Sequence, residues 1–416
     1  MEVVYMRATI ISESTEDQKF SFLPNLTKAK TFSGKMAAIC YLKDKYFNTN
    51  ASDNAKSYDR FMRVAETGHH SIADHYFVTV LFENIPKMTA MILNSLGFYN
   101  TSEKSGRYTV MNADEEDMIK YHKNYELYNK WIPILTELIK KEYPTMDDKL
   151  VEKLSLENAR YMLSVFSHST TMSYTTSFRM WSYIKCYCDR HIMTHESNYD
   201  NMTQFEKDLF DCIKELRNCI EEMYLFSNDL IENKGRGFYF LAKQTFFNTD
   251  NMRECIGDAY LIKYGSSFAD LAQQQRHRNI KYYMNYDGKY HQFYVPKIIK
   301  DTEYESQWVE DLMSIAETTP IATKVQVVET GFIGEFLLKC DERLCGRVQL
   351  ETMNTITQNL IRFARNRGNS PFMKDMLSKY IDIDNYNEQT VKTKCCRVNC
   401  KEPCFFGAKN GITRKI

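Results

Sequence analysis

No stretch of these 416 residues approaches the roughly 20 consecutive apolar side chains that a helix needs to cross a bilayer, which argues against a membrane protein. Neither sign of charge is in surplus: Lys plus Arg number 54 and Asp plus Glu number 54. Non-specific capture of nucleic acid or of an anionic membrane needs a basic surplus, so neither partner is expected. The opening Met1-Glu2-Val3-Val4 lacks the basic and apolar regions of a secretory signal, and the expected location is the cytosol. Glycine and proline are few, 15 and 8, which with abundant Lys, Asn and Tyr suggests an AT-rich genome, bacterial or viral. No obvious Cys/His pair for nucleophilic catalysis stands out.

What is present is enough for two cores. Apolar residues make up 43% of a chain too long for one ordinary domain, so a soluble globular protein of two domains is expected. The 12 cysteines fit a reducing compartment. Most are scattered through helical-looking segments, where buried thiols are common, but Cys395, Cys396, Cys400 and Cys404 crowd the tail. Val3 to Ile11 and Tyr76 to Phe82 read as strands, and Gly34 to Phe47 as a helix behind Ser33 as N-cap. Pro86 suits the first turn of a helix reaching Leu96. Helical periodicity runs over Asp114 to Tyr143 and over Gln204 to Asn233. Lys234-Gly235-Arg236-Gly237 is the best linker. Beyond it come a strand over Phe238 to Phe247, a helix through Gln275, a strand-like run over Thr323 to Val328 and helices from Phe332 to Arg365. This recurrence is a faint internal duplication. It divides the chain into repeats over 1–235 and 236–380 and a Cys-rich tail over 381–416.

Three strings carry chemistry. In Gln273-Gln274-Gln275-Arg276-His277-Arg278, a helix would set Gln273, Arg276 and His277 on one face. An amide, a guanidinium and an imidazole there suit a phosphate and a planar heterocycle, and the plain alternative is a basic helix end favoured by the helix dipole. Gly68-His69-His70-Ser71-Ile72-Ala73-Asp74-His75 has the S-x-x-D spacing of a capping box, yet three histidines exceed what a cap needs. They can serve a metal or hydrogen-bond a cofactor. Ser102-Glu103-Lys104-Ser105-Gly106-Arg107-Tyr108 can present a backbone N–H, a hydroxyl and a guanidinium to one phosphate, or be a polar turn.

Together these strings resemble the flavin-dependent thymidylate synthase family, whose motifs are G-H-x-S-x-x-E-H, then R-H-R, then N-E-x-S-x-R-Y. The first half matches with Gly68, His69, Ser71, Asp74 and His75, and with Ser102, Glu103, Ser105, Arg107 and Tyr108. Where R-H-R belongs it has Ser95-Leu96-Gly97, with Ile92 for the family's glutamine. The second half has Gln273 and Arg276-His277-Arg278, but Tyr283, Met284, Tyr286 and Gly288 where Asn, Glu, Ser and Arg belong. Downstream, Ala159-Arg160 and Thr175 to Arg179 match in the first half, with Cys188 in place of a later arginine. Arg343-Leu344, Gln349 and Glu351 match in the second, whose counterpart of Arg179 is Gly334. Each half keeps what the other lost.

The resemblance implies an α+β fold, each repeat a small mainly antiparallel sheet packed with long helices. It implies methylation of dUMP at C5, with methylenetetrahydrofolate as carbon donor, FAD as the flavin and NADPH as reductant, and with no cysteine nucleophile. The family's sites lie between subunits, so one composite site is expected, and a homodimer of tandem chains in place of a tetramer. The dUMP set is Ser105, Arg107, Arg160, Gln273, Arg276 and Arg343, with Arg343 the catalytic arginine against the uracil carbonyl. The FAD set is His69, Ser71, Asp74, Glu103, Ser177, Arg179, His277 and Arg278. Hydroxymethylation or another pyrimidine nucleotide is the nearest rival, and a non-catalytic nucleotide-binding scaffold a more distant one. The tail cysteines Cys395, Cys396, Cys400 and Cys404 can bind zinc or an iron–sulfur cluster, although reduced thiols are the preferred reading.

Overall fold

β-Branched and aromatic residues at alternate positions set the strands. The computed structural model describes residues 6–13, 26–39, 42–43, 53–96, 98–107, 109–111, 115–232, 259–367, 371–398, 400, 404–406 and 412–416. In the first sheet, β1 (Arg7–Glu13), β2 (Phe77–Ile85), β3 (Asn100–Glu103) and β4 (Thr170–Ser177) lie in the order β1-β2-β4-β3, all antiparallel. Along β2 the even-numbered Val78, Val80 and Phe82 are buried while their neighbours are more open, the period-2 pattern of a half-buried strand. In the second sheet, β5 (Ala259–Ser267), β6 (Lys281–Asn285) and β7 (Lys324–Phe332) lie in the order β5-β7-β6, again antiparallel.

The two sheets share a plan. Asn100 pairs with Thr175 where β3 meets β4, and Lys281 pairs with Thr330 where β6 meets β7. β2 leads into the helix Lys87–Ser95 and β5 into Phe268–Gln274. β4 runs directly into Phe178–His195 and β7 directly into Ile333–Arg343. The architecture is therefore α+β, with small antiparallel sheets among long helices. Among the described residues, no helix is long and apolar enough to cross a membrane.

Compactness does not follow chain order. One unit draws on residues 1–104, 112–120 and 166–245, the other on 105–111, 121–165 and 246–416. The division at residue 235 thus differs from the packing, because segments 105–111 and 121–165 pack with the second half of the chain. Backbone bonds fix this: Ile321 N donates to Leu163 O at 2.7 Å and Ala322 N to Tyr161 O at 3.1 Å.

Several element boundaries depart from the sequence reading. The first helix spans Leu26–Ile39, so Ser33 is buried inside it and is no N-cap. Its Gly34 is where Asn54–Glu66 crosses, since a Cβ there would fall 1.8 Å from the carbonyl oxygen of Ser57. The periodic run from Asp114 breaks at Tyr121 into Glu115–Lys120 and His122–Glu142. The run from Gln204 ends at Glu222, where Tyr224 turns the chain at φ 50, and resumes as Asn228–Glu232. Residues 259–267 are strand, not helix, because Tyr260 and Tyr264 alternate onto one buried face. The linker at 234–237 and the strand expected over Phe238 to Phe247 lie outside the described residues.

Candidate functional site

In the second unit a short run of chain, Gly346 to Gln349, collects arginines from distant segments. Arg107 donates through Nη2 to the carbonyl oxygen of Arg347 at 2.9 Å, and through Nε to the carboxylate of Glu157. Arg160, which is buried, donates through Nη2 to the side-chain oxygen of Gln349. Ser105 steadies the Arg107 turn, its hydroxyl accepting from Arg107 N at 3.4 Å. Gly106 packs beside Arg160, a Cβ there lying 3.6 Å from Arg160 Cδ. The Nε–H of Arg160 is buried with no partner among the described residues.

Behind this group lies a relay of buried polar side chains. Gln349 donates to the Tyr161 hydroxyl, which donates to Glu351 at 2.6 Å. Glu351 also accepts from Ser267 Oγ at 2.7 Å and from Ser267 N at 3.1 Å. Burial, then the nearby charge of Asp270, pushes the Glu351 carboxyl up to about 8. Ser267 caps the helix that carries Gln273, accepting from Asp270 N.

Arg343 closes the helix Ile333–Arg343 and donates through Nε to Nε2 of His277 at 2.9 Å. Burial, and then the positive charges of Arg343 and Lys339, lower the His277 pKa to about 3, so its ring is neutral and accepts that bond. Arg343 is itself desolvated by burial, and the charges of both Arg107 and Arg276 bear on it. Gln273, Arg276 and His277 do not share a helix face as the spacing suggested. The helix stops at Gln274 with Gln275 as its cap, and Arg276 and His277 occupy the turn that follows.

The helix bearing Arg343 is pinned to β7 by a fully buried ion pair, Lys339 Nζ to Glu329 Oε2 at 2.7 Å. The hydroxyls of Tyr260 and Tyr264 each donate to Glu329 at 2.6 Å, and Lys339 reaches the Tyr282 hydroxyl at 3.3 Å. Glu157, Tyr161 and this Lys339–Glu329 pair escaped the sequence reading. Only the i, i+3 placing of Glu157 before Arg160 offered a signal for any of them.

The first unit holds a second group. His69, Ser71 and Asp74 belong to or adjoin the 3-10 helix His70–His75. Its S-x-x-D spacing makes no capping box, because Asp74 faces Ser177, accepting from Oγ at 2.7 Å, and Arg179, accepting from Nε at 2.9 Å. Ser177 also caps the helix Phe178–His195. Glu103 is engaged by Lys87. His69, Ser71 and His75 are exposed, whereas His70 is buried between the Tyr183 hydroxyl at 2.8 Å and Ala65 O at 3.1 Å. The three histidines therefore diverge. His277 and Arg278, expected with the flavin group, belong to the second unit.

Among the tail cysteines, Cys396 is exposed and Cys395, Cys400 and Cys404 are half-buried free thiols. Among the described residues, no three or more His, Cys, Asp and Glu side chains are placed to hold a metal.

Residues 23–196, under half of the chain, match the model of the family described as thymidylate synthase complementing protein. None of the curated proteins matches the chain. Among solved structures, a UMP/dUMP methylase from Streptomyces cacaoi bound with 5-Br dUMP is similar at 13% identity and TM-score 0.29, over 44% of this chain and 77% of that one. Thymidylate Synthase X from Helicobacter pylori with FAD and dUMP is similar at 15% identity and TM-score 0.29, over 54% of this chain and 99% of that one. Over residues 23–196 the chain is similar to the family described as thymidylate synthase complementing protein.

Proposed function

We propose that this chain is an enzyme that methylates dUMP at C5 to dTMP, using one composite nucleotide site to which both halves of a fused tandem contribute. One observation carries the reading. Arg107 and Arg160, from the first half of the sequence, bond the run Arg347 to Gln349 from the second half, inside one compact unit that also holds Gln273, Arg276 and Arg343. Complementary loss of motif residues between the halves, and the shared plan of the two sheets, support descent from two copies.

In this reading Arg107 and Arg160 anchor the phosphate and Ser105 assists. The buried, unpartnered Nε–H of Arg160 fits an anionic ligand, since a desolvated guanidinium N–H left unmade is costly. Phosphate binding then holds the uracil ring in reacting geometry. Arg343, aimed by the neutral His277, faces the uracil carbonyl and stabilises the negative charge that develops on the ring. The exposed imidazole of His69 and hydroxyl of Ser71, with Arg179 held by Asp74 and Ser177 nearby, form a donor set that suits FAD. Glu103 belongs with this set, and His277 and Arg278 are proposed as flavin contacts carried by the second unit. FAD, when bound and reduced by NADPH, supplies the hydride, and methylenetetrahydrofolate supplies the carbon. C5 gains a methylene and then a hydride in exchange for its hydrogen, so dTMP and tetrahydrofolate are the products. A cytosolic homodimer of tandem chains belongs to the same reading.

The test is incubation of the purified chain with FAD, NADPH, dUMP and methylenetetrahydrofolate isotopically labelled at the transferred carbon. Labelled dTMP, identified by mass spectrometry, is the expected product. A labelled hydroxymethyl nucleotide would reassign the product. Nucleotide binding without any labelled product would replace the enzyme with a scaffold.

A further inference from the structure

Arg414 lies in the Cys-rich tail, outside every motif of the family resemblance, yet it reaches the same run of chain as Arg107 and Arg160. Its Nη1 donates to the carbonyl oxygen of Gly346 and its Nη2 to that of Val348. Four consecutive residues are thus gripped by three arginines: Gly346 and Val348 by Arg414, Arg347 by Arg107, and Gln349 by Arg160. The tail is pinned for this task. The Arg414 guanidinium lies over the Phe406 ring at 4.8 Å, and Phe406 packs edge-on against Tyr143. Lys415 N donates to the Tyr143 hydroxyl at 2.9 Å, and Lys415 Nζ meets Glu142 at 2.9 Å. Gly346 accepts the tail closely, since a Cβ there would lie 3.0 Å from Cys404 Sγ.

Two observations point past a merely structural clamp. Arg414 is 4% exposed and Arg160 8% exposed, and in both the Nε–H is buried without a partner among the described residues. Two desolvated guanidinium N–H groups on one short run of chain are costly if left unmet, and an anion would meet them. The charge balance agrees. Arg107 and Arg160 beside Glu157 leave one net positive charge, whereas a phosphate monoester carries roughly −1.5 to −2 near neutral pH. A third arginine brings the site to match it. Glu157 and Arg107 are among the charges that act on Arg414.

We propose that Arg414 is a third arginine of the nucleotide phosphate subsite, contributed by the C-terminal tail, and that it makes the site selective for a nucleoside monophosphate over the nucleoside. This rests on the nucleotide reading above. The full-length chain with FAD is titrated calorimetrically with dUMP and with deoxyuridine, as wild type, Arg414→Gln and Arg414→Lys. Arg414→Gln is expected to weaken dUMP at least ten-fold and leave deoxyuridine unchanged, with Arg414→Lys in between. Equal weakening of both ligands, or of neither, overturns the proposal and leaves Arg414 a structural clamp. Wild-type protein that binds no dUMP instead fails the nucleotide reading, and this proposal with it. Should Arg414→Gln not fold, wild-type protein with 15N-labelled arginine decides. The Nε–H signal missing from Arg414→Lys must move with dUMP and stay put with deoxyuridine, and any other pattern refutes the assignment.

Discussion

Arg343 has its Nε–H committed to a neutral imidazole, which fixes the plane of the guanidinium that the proposed function sets against the uracil carbonyl. Removing the guanidinium should therefore cost turnover far more than folding. Arg343→Ala is expected to lower kcat on the order of 10²- to 10³-fold, the range for loss of a preorganised donor. His277→Ala should lower it less, on the order of ten-fold, because the arginine remains but loses its aim. Steady-state kinetics alongside thermal melts separates these outcomes, and an Arg343→Ala enzyme with unchanged kcat would remove Arg343 from the reaction. At this scale residue types were legible in the sequence but their partners were not. Gln273, Arg276 and His277 were recognisable as a polar string. That the helix stops at Gln274 and hands His277 to Arg343 depends on a contact 66 residues away. Glu157 gave no sign that it would sit on Arg107, because the two meet only once the turn at Gly106 packs beside Arg160.

Elements hold the candidate site by few and costly contacts. The helix Ile333–Arg343 is tied to β7 through Lys339 and Glu329, both with side chains at 0% exposure. Breaking such a pair leaves a bare charge in the core, so Lys339→Met is expected to destabilise the protein by about 3–5 kcal/mol. Replacing Glu329 by Gln in the same chain should recover part of that loss, since the uncompensated carboxylate is then gone. Denaturant melts of the single and double variants check this, and a single variant as stable as wild type would make the pair dispensable. The sequence foretold most of these elements where their periodicity is strong, as in β2 and the helix after Pro86. It failed where tertiary contacts set the ends. Ser33 is a good cap by type, but the close crossing at Gly34 needs helix on both sides of it. Over Ala259–Ser267, the pull of Tyr260 and Tyr264 toward Glu329 fixes a strand that local propensity left ambiguous.

For the whole molecule, pH exposes how differently the two units use half-buried histidine. In the first unit, His168 lies between Asp117 at 3.1 Å and Glu215 at 3.2 Å. Burial alone would lower its pKa, but hydrogen bonds and charge from the two carboxylates outweigh that and raise it to about 10. Its folded pKa exceeds the unfolded value near 6.5, so its stabilising contribution is full below about 6.5 and is lost as pH rises toward about 10. In the second unit His277 behaves oppositely. With its pKa lowered to about 3, its contribution is full above about 6.5 and is lost as pH falls toward that value. Stability is therefore expected to decline on both sides of neutrality, through a different unit on each side. His168→Gln should flatten the alkaline decline between about pH 6.5 and 10 while lowering stability at neutral pH, and should leave the acid side as it was. Denaturant midpoints measured from pH 4 to pH 10 test this. An alkaline slope that persists unchanged in His168→Gln would mean that the Asp117–His168–Glu215 clamp does not set it.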